Sequence, residues 1–491
     1  VIQFPLSFVT EENTRADMEN ERSPIIMWFR RDLRLSDHPA LSAAIETGRP
    51  VIPVFFLDET VEALGAAPKW RLGLGLETFA CSLEKVGSRL ILRRGDALAV
   101  LQELIIQSGA KHVFWSRAYD PDAIVRDTKI KTALTEQGVS AKSFAGHLLF
   151  EPWSVATKSA QPFRVFTPMW RAVQNRDVPA PTIAPTHVQP PAQWPASDDL
   201  VDWHLGTQMK RGALVVARYV RPGEPAAFEA LHQFLDRITP YADNRDRLDL
   251  DGTSNLSEYL SLGEIGPRSV WHAVQRAGMT GVRGVEPYLR QLVWREFAYH
   301  LLFHNPRLLS RNWKPEWDTF PWNTDANLPE VTAWRQARTG VLAVDAGLRQ
   351  MYVTGRMHNR ARMVVASYLT KHLMTHWKIG MDWFADCLTD WDPAANAMGW
   401  QWVAGSGPDA SPFFRIFNPQ TQRKKFDPQS DYVRQWIAEG QPDPPATALA
   451  YFDAVPRSWN LSPTDPYPQP VVEMATGRQR ALAAYEGRKP R

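Results

Sequence analysis

The chain has 491 residues, 44% of them hydrophobic and 22% charged, which describes a globular protein of two or three domains and excludes a small binding module or a disordered polymer. Its 56 Lys and Arg against 53 Asp and Glu leave a net charge of +3, so there is no global basic field, and any contact with a polyanion has to rest on a local patch. Two cysteines, Cys81 and Cys387, cannot build a disulfide framework, a four-cysteine zinc site or a cysteine-ligated iron–sulfur cluster, and they suit a reducing, cytoplasmic location.

Residues 1–23 read as a disordered leader. VIQFPLSFV runs directly into the polar EENTRADMENER, with no basic start or small-residue cleavage site, and no stretch of the chain has the apolar length of a membrane span. Between Pro24 and about Phe150, five β-branched or aromatic runs (IIMWF, VIPVFFL, RLILRR, KHVFW, VSAKSF) alternate with amphipathic segments. Strands separated by helices predict a doubly wound, parallel five-stranded sheet, because parallel neighbours need a crossover that covers the sheet. Ligands of such sheets lie beyond the strand carboxyl ends, which places Arg30, Arg31, Asp58, Ser116 and Asp120 near any site there.

Residues 151–219 contain VPAPTIAPTHVQPPAQWPAS and read as a Pro-rich interdomain linker that no regular helix or strand accommodates. From 220 to 491 the periodicity is helical, clearest in FEALHQFLDRI, PRSVWHAVQRA, YLRQLVWREFAYHLLF, HNRARMVVASYLTKHLMTHW and MDWFADCLTDW, so the second domain is expected to be all-α.

Gly405-Ser-Gly407-Pro-Asp-Ala410 matches G-x-G-x-x-A but follows a helical run and contains Pro408, so it is not a dinucleotide fingerprint, and P-loop, HExxH and metal-ligand spacings are absent from the sequence. Asn359, Met363, Ala366, Thr370, Leu373 and Trp377 recur at spacings of four and three, which puts them on one face of an unbroken helix about 27 Å long. Asp392 before Pro393 has the form of an N-cap followed by a first-turn proline. Thr253, Ser254, Asn255 and Ser257 gather hydroxyls at a helix start, where free N–H groups hold phosphate oxygens. Polar helix starts, arginines and 20 tryptophans in the chain together point to a large, planar, phosphorylated cofactor.

These residues carry a resemblance. WFRRDLRLSDHPAL, GTSNLS, LRQLVWREF, TGRMHNRARM, DPAANAMGWQWVAGSGPDASPFFRIFNP and YPQPVVEMATGRQRALAAYE, in that order, resemble the photolyase/cryptochrome family of flavoproteins from Pro24 to the C-terminus. The resemblance implies an all-α domain that holds FAD in a bent conformation, with Tyr241, Thr253, Ser254, Leu256 and Ser257 at the phosphates. Arg295, Arg362, Asp390, Asp392 and Asn396 would surround the isoalloxazine and ribose. It implies an electron path through Trp400 and Trp377, with Trp322 or Trp334 as a third member. It also implies a pocket for a flipped-out pyrimidine dimer of UV-damaged DNA, walled by Trp294 and Trp402 and floored by Asn359 and Met363, with Arg245, Arg360 and Arg415 on the DNA backbone. Monomeric repair driven by light is the expected activity, with no membrane partner.

Within the family, Asn359-Arg360…Met363 resembles enzymes for cyclobutane dimers, and two cysteines speak against an iron–sulfur subtype. Gln291 departs from the glutamate that dimer photolyases generally carry; it donates a hydrogen bond but has no ionisable group. Trp391 is bulkier than the small residue of well-known members. A blue-light receptor, or a photolyase-like protein with weakened repair, is the alternative; such receptors often carry a long tail after the core, and none follows YPQP…AAYE in this sequence. An antenna near Arg71, Ser116 and Asp120 is expected to be methenyltetrahydrofolate, a deazaflavin or FMN, and an empty site stays equally open.

Overall fold

The computed structural model describes residues 23–279, 281–409 and 414–488, so the expected leader lies, apart from Ser23, outside the described residues. Strands β1 (Ile25–Trp28), β2 (Val51–Leu57), β3 (Ile91–Arg94), β4 (His112–Ser116) and β5 (Ser140–Phe144) form one parallel sheet in the order β3-β2-β1-β4-β5. Every residue of β1 and β2 is buried, as strands covered on both faces must be. Alternation then sorts the side chains. Ile25, Met27 and Phe55 meet Leu41 of α1 (Pro39–Glu46) and Leu72, Leu76 and Phe79 of α2 (Ala66–Lys85). Ile26, Trp28 and Phe56 meet Leu101 of α3 (Ala97–Ser108) and Ile130 of α4 (Pro121–Glu136) on the opposite face.

The segment 151–219 is more than a linker. A helix, α5 (Phe166–Val173), forms inside it, contrary to the expectation of an irregular connector. Its Pro-rich part runs back along the sheet domain, where Asp37 N donates to Thr182 O (2.7 Å), Val188 N to Val86 O (2.9 Å) and Val51 N to Gln189 O (2.9 Å). Prolines lack the N–H but keep the carbonyl, so such a chain can still bond to the domain edge. Val188 is wholly buried in the first domain's core.

In the helical domain, α6 (Ser257–Leu262), α7 (Val285–His304), α8 (Asn359–Ser367), α9 (Trp377–Cys387) and α10 (Pro393–Ala404) build the site. The single long helix predicted from Asn359 to Trp377 is broken. α8 passes into a π turn at Tyr368–His372, Met374 takes a left-handed φ of 52°, and α9 starts afresh with the His376 ring accepting from Lys378 N at 3.1 Å. The fully buried Lys371 supplies a tertiary reason: its Nζ donates to Ala404 O at 2.5 Å, satisfying an end carbonyl of α10. Asn359, Met363 and Ala366 keep their common face, and Trp377 belongs to another helix.

The two domains meet through buried charge. Arg71 of α2, with no exposed surface, donates to Glu258 of α6 and to both carboxylate oxygens of Glu264, its Nη1 at 3.0 Å from Oε1. Glu264 also accepts from Gly223 N at 2.9 Å, and Glu258 from Thr389 Oγ1 at 2.8 Å. Arg71→Met leaves Glu264 without its cation and Glu258 with only Arg356 at 3.9 Å, and is expected to cost about 3–5 kcal/mol in a denaturant titration. Arg71→Lys should recover only part of this, since one ammonium does not span both carboxylates.

Candidate functional site

A cavity of about 620 Å³ opens between α6, α7, α8 and α10, within the range of cofactor sites. All ten residues expected at FAD line it: Tyr241, Thr253, Ser254, Leu256 and Ser257 on one side, and Arg295, Arg362, Asp390, Asp392 and Asn396 around the other. Gln291, Asn359, Met363 and Trp400 line the same cavity. Gly399 is also in its wall, and a Cβ built there meets nothing within 4 Å, so a side chain would occupy space that the glycine leaves open.

The polar groups are held by one another. Arg362 Nη2 lies 2.9 and 2.7 Å from the two oxygens of Asp390, and Ser257 Oγ donates to Asp390 Oδ2 at 2.7 Å. Asp392 caps α10, accepting from Ala395 N at 2.9 Å as its sequence predicts, with Pro393 in the first turn. Its other oxygen accepts from Tyr299 Oη (2.6 Å) and from Arg31 Nη2 (3.0 Å), an arginine that follows β1 in the first domain. Burial opposes ionisation of Asp392, but Arg31, Arg295 and these hydrogen bonds outweigh it and hold the carboxyl below its ordinary range. Asn396 Nδ2 donates to Asp392 O at 2.9 Å, so the amide donor expected to serve a ligand is used inside its own helix turn. α6 begins at Ser257 without a side-chain cap; Ser254 Oγ instead accepts from Tyr288 Oη at 3.1 Å.

Tyr299 and Tyr288, which hydrogen-bond Asp392 and Ser254, were not singled out by the sequence reading. Gln291, Arg295 and Tyr299 are each four residues apart, a spacing that could have found Tyr299. Tyr432, Gln435 and Trp436, also in the wall, lie in a short helix with no such signal.

Trp400 is 3% exposed, and the tip of its ring lies against Gly380 in α9, three residues beyond Trp377. Trp377 is wholly buried, its Nε1 donating to Asn312 Oδ1 at 2.9 Å. His376 has ring-centroid distances of 5.2 Å to Trp377 and 5.3 Å to Trp322, and Trp322 donates to Thr370 O at 3.0 Å. Trp334, also wholly buried, touches Trp400 edge-on at 6.3 Å. Both candidates for a third tryptophan are therefore near the path, Trp322 beyond His376 and Trp334 beside Trp400.

Trp294 and Trp402 stand on α7 and α10 but outside the cavity lining. Arg360 is paired with Asp246 at 2.7 Å and lies 4.3 Å over the Phe426 ring. Arg245 bonds Tyr241, and the exposed Arg415 lies 6.0 Å over Trp402. Gln291 makes no hydrogen bond to any described residue, which leaves its amide to whatever enters the cavity. Trp391 is half-buried against the helical core.

The strand-end residues expected at an antenna are engaged otherwise. Arg71 is the buried interdomain cation described above, enclosed by carboxylates and out of reach of a chromophore. Ser116 O accepts from Arg30, Arg30 pairs with Asp127 (2.7 Å), Arg126 pairs with Asp58 (2.7 Å), and both arginines cover Trp28 at 4.6 and 4.9 Å. Asp120 lies 4.0 Å from Arg31; burial raises its carboxyl pKa against the pull of that arginine. Among the described residues no cluster of His, Cys, Asp or Glu could hold a metal ion, and no helix is long and apolar enough to cross a membrane.

The model of the DNA photolyase domain matches residues 25–187, and that of the FAD binding domain of DNA photolyase matches 288–487. The chain belongs to the photolyase/cryptochrome family. Among family members, the deoxyribodipyrimidine photo-lyase of Agrobacterium fabrum is 43% identical over 95% of this chain and 98% of its own. Cryptochrome-1 of Arabidopsis thaliana is 35% identical over 85% of this chain and 62% of its own. The crystal structure of a class III photolyase from Agrobacterium tumefaciens superposes with a TM-score of 0.87, at 42% identity, over 95% of this chain and 97% of that one.

Glu296, next to Arg295, is 2% exposed and accepts from Leu149 N (2.7 Å) and Phe150 N (3.2 Å) at the end of the sheet domain. Burial, only partly offset by Arg295, pushes its carboxyl up to about 7. The folded protein thus favours the protonated acid, and stability falls as pH rises from 4.5 to about 7. Glu296→Gln keeps the acceptor and removes the titration, so its unfolding free energy, measured by denaturant titration, should fall less than that of the unaltered protein over this window, by roughly 3 kcal/mol.

Proposed function

We propose that the protein repairs cyclobutane pyrimidine dimers in DNA by light-driven electron transfer from FAD. One observation carries this reading: the Ser257–Asp390–Arg362 cradle shares a single cavity with Gln291, Asn359 and Met363, so a dimer entering it would lie beside the cofactor. Reduced FAD, when bound, supplies the photoexcited electron that splits the cyclobutane ring and takes it back afterwards, with no net redox change. Arg362 and Asp390 form a charge-assisted pair that fixes the polar edge of the cofactor site, and Thr253, Ser254 and Ser257 would hold the phosphates of a bound cofactor. Gln291 donates to a pyrimidine carbonyl, and Asn359 and Met363 form the polar and apolar floor. Extrusion of a dimer is helped because the lesion already stacks and pairs poorly. Trp400 and Trp377 carry an electron inward from the surface, through Trp322 beyond His376. An antenna, if one is bound, sits elsewhere than at Arg71.

A second reading, a blue-light receptor, is favoured by one residue. Gln291 keeps no ionisable group beside the dimer, and a cryptochrome is among the relatives.

Purified, reduced protein illuminated with blue light in the presence of an oligonucleotide holding one thymine dimer should restore the ultraviolet absorbance of the separated bases, and Gln291→Glu should do so faster. No recovery by protein that binds and photoreduces FAD would overturn the repair assignment in favour of a receptor. Trp400→Phe is expected to slow photoreduction of oxidised FAD under blue light, followed by flavin absorbance; an unchanged rate would remove Trp400 from the path.

A further inference from the structure

Glycine inside a helix lowers stability relative to alanine, and two features usually account for one: a left-handed backbone, or a neighbour that leaves no room for a Cβ. Gly347 and Gly380, both within helices, show the second, since a Cβ there would stand 3.0 Å from Val365 and 2.1 Å from Trp400. Among the described residues, six glycines have nothing within 4 Å of an added Cβ, and five of them take φ between 68° and 82°. The sixth is Gly399. It lies in the interior of α10, where the backbone is helical, and it lines the cavity. Neither backbone geometry nor packing within the protein explains this glycine, so the space it leaves belongs to something that enters the cavity.

We propose that Gly399 is a specificity-determining residue: its missing side chain is the clearance at which a pyrimidine dimer comes against the cofactor. This rests on the repair reading. Along α10, Asn396, expected at the cofactor, stands three residues before Gly399, and Trp402, expected at the lesion, three residues after it, each about 4.5 Å along the axis. Residues three apart are neighbours on a helix surface, so the bare backbone at Gly399 forms a notch between the two. Gln291 and Met363 line the same cavity, and a dimer held by them reaches the notch with no side chain between it and the cofactor. Electron transfer weakens steeply with separation, so the width of one methyl group matters at this place. The notch also sorts substrates. A dimer is a joined, rigid pair of rings that cannot turn one ring away from a protrusion, whereas undamaged DNA, held by its backbone outside the cavity, does not reach Gly399.

Gly399→Ala adds one methyl group to the wall and favours the helix. Three quantities are measured on the FAD-loaded protein: the unfolding equilibrium without DNA, the dark affinities for an oligonucleotide holding one thymine dimer and for its undamaged counterpart, and the quenching of reduced-flavin fluorescence by bound dimer. The unfolding equilibrium should shift toward the folded state by about fivefold, as for glycine to alanine in an unobstructed helix, with FAD content unchanged. Affinity for the dimer should fall by about tenfold, as when a methyl group overfills a packed site, affinity for undamaged DNA should hold, and quenching at saturating dimer should slow. A loss of stability would show that the protein itself needs the space, and a loss of FAD would assign the space to the cofactor alone. Either result overturns the proposal, as does an unchanged dimer affinity or unslowed quenching. If the unaltered protein does not prefer the dimer, the repair reading and this inference fall together; if it does and the alanine variant matches it, only this inference falls.

Discussion

A buried arginine that the sheet domain lends to carboxylates of the helical domain governs this structure. Glu258 and Glu264 lie inside the helical domain, where an ionised carboxylate without a partner would cost several kcal/mol; the cation hydrogen-bonded to both comes from α2 of the sheet domain, with Arg356 of the helical domain 3.9 Å from Glu258. Asp392, in the wall of the cavity, is served the same way by Arg31. The cavity is therefore a property of the docked pair of domains. The helices supply its walls, and the ionisation state of one of its carboxylates is set in part from across the interface, by Arg31.

The cavity and the aromatic path have different tolerances. Around the cofactor site, hydrogen bonds run in a closed set from Ser257 to Asp390 to Arg362, which fixes orientation. Along the tryptophans the contacts are mostly ring to ring, where packing decides distance. Gly380 is the clearest case: a Cβ there would stand 2.1 Å from Cη2 of Trp400, so the glycine permits the approach of α9 to the ring. A side chain at that position would drive the indole toward the cavity, into the volume that a cofactor needs.

Much of this was legible in the sequence. The strands were read because parallel strands buried on both faces appear as continuous apolar runs, as in VIPVFFL, and the ten residues expected at a cofactor line one cavity because motif order preserves their place in the fold. Other features were not legible, for a physical reason. KHLMTHW holds neither Gly nor Pro, so nothing local announces the break between α8 and α9; it accompanies Lys371 reaching the end of α10, a contact 33 residues away in the chain. Arg71 looked like a chromophore contact because its carboxylate partners lie 187 and 193 residues further along. α5 was hidden by the prolines that surround it.

The return of the Pro-rich segment along the sheet domain bears on how the chain is made. Val188 joins a core whose described buried residues, apart from Leu262 of α6, all precede the helical domain, so most of that core can close while the ribosome is still synthesising the helices. Arg71 then waits. Its carboxylates leave the ribosome almost two hundred residues later, roughly 10–40 s at ordinary elongation rates. During that interval α2 presents a charged, half-finished face to solvent.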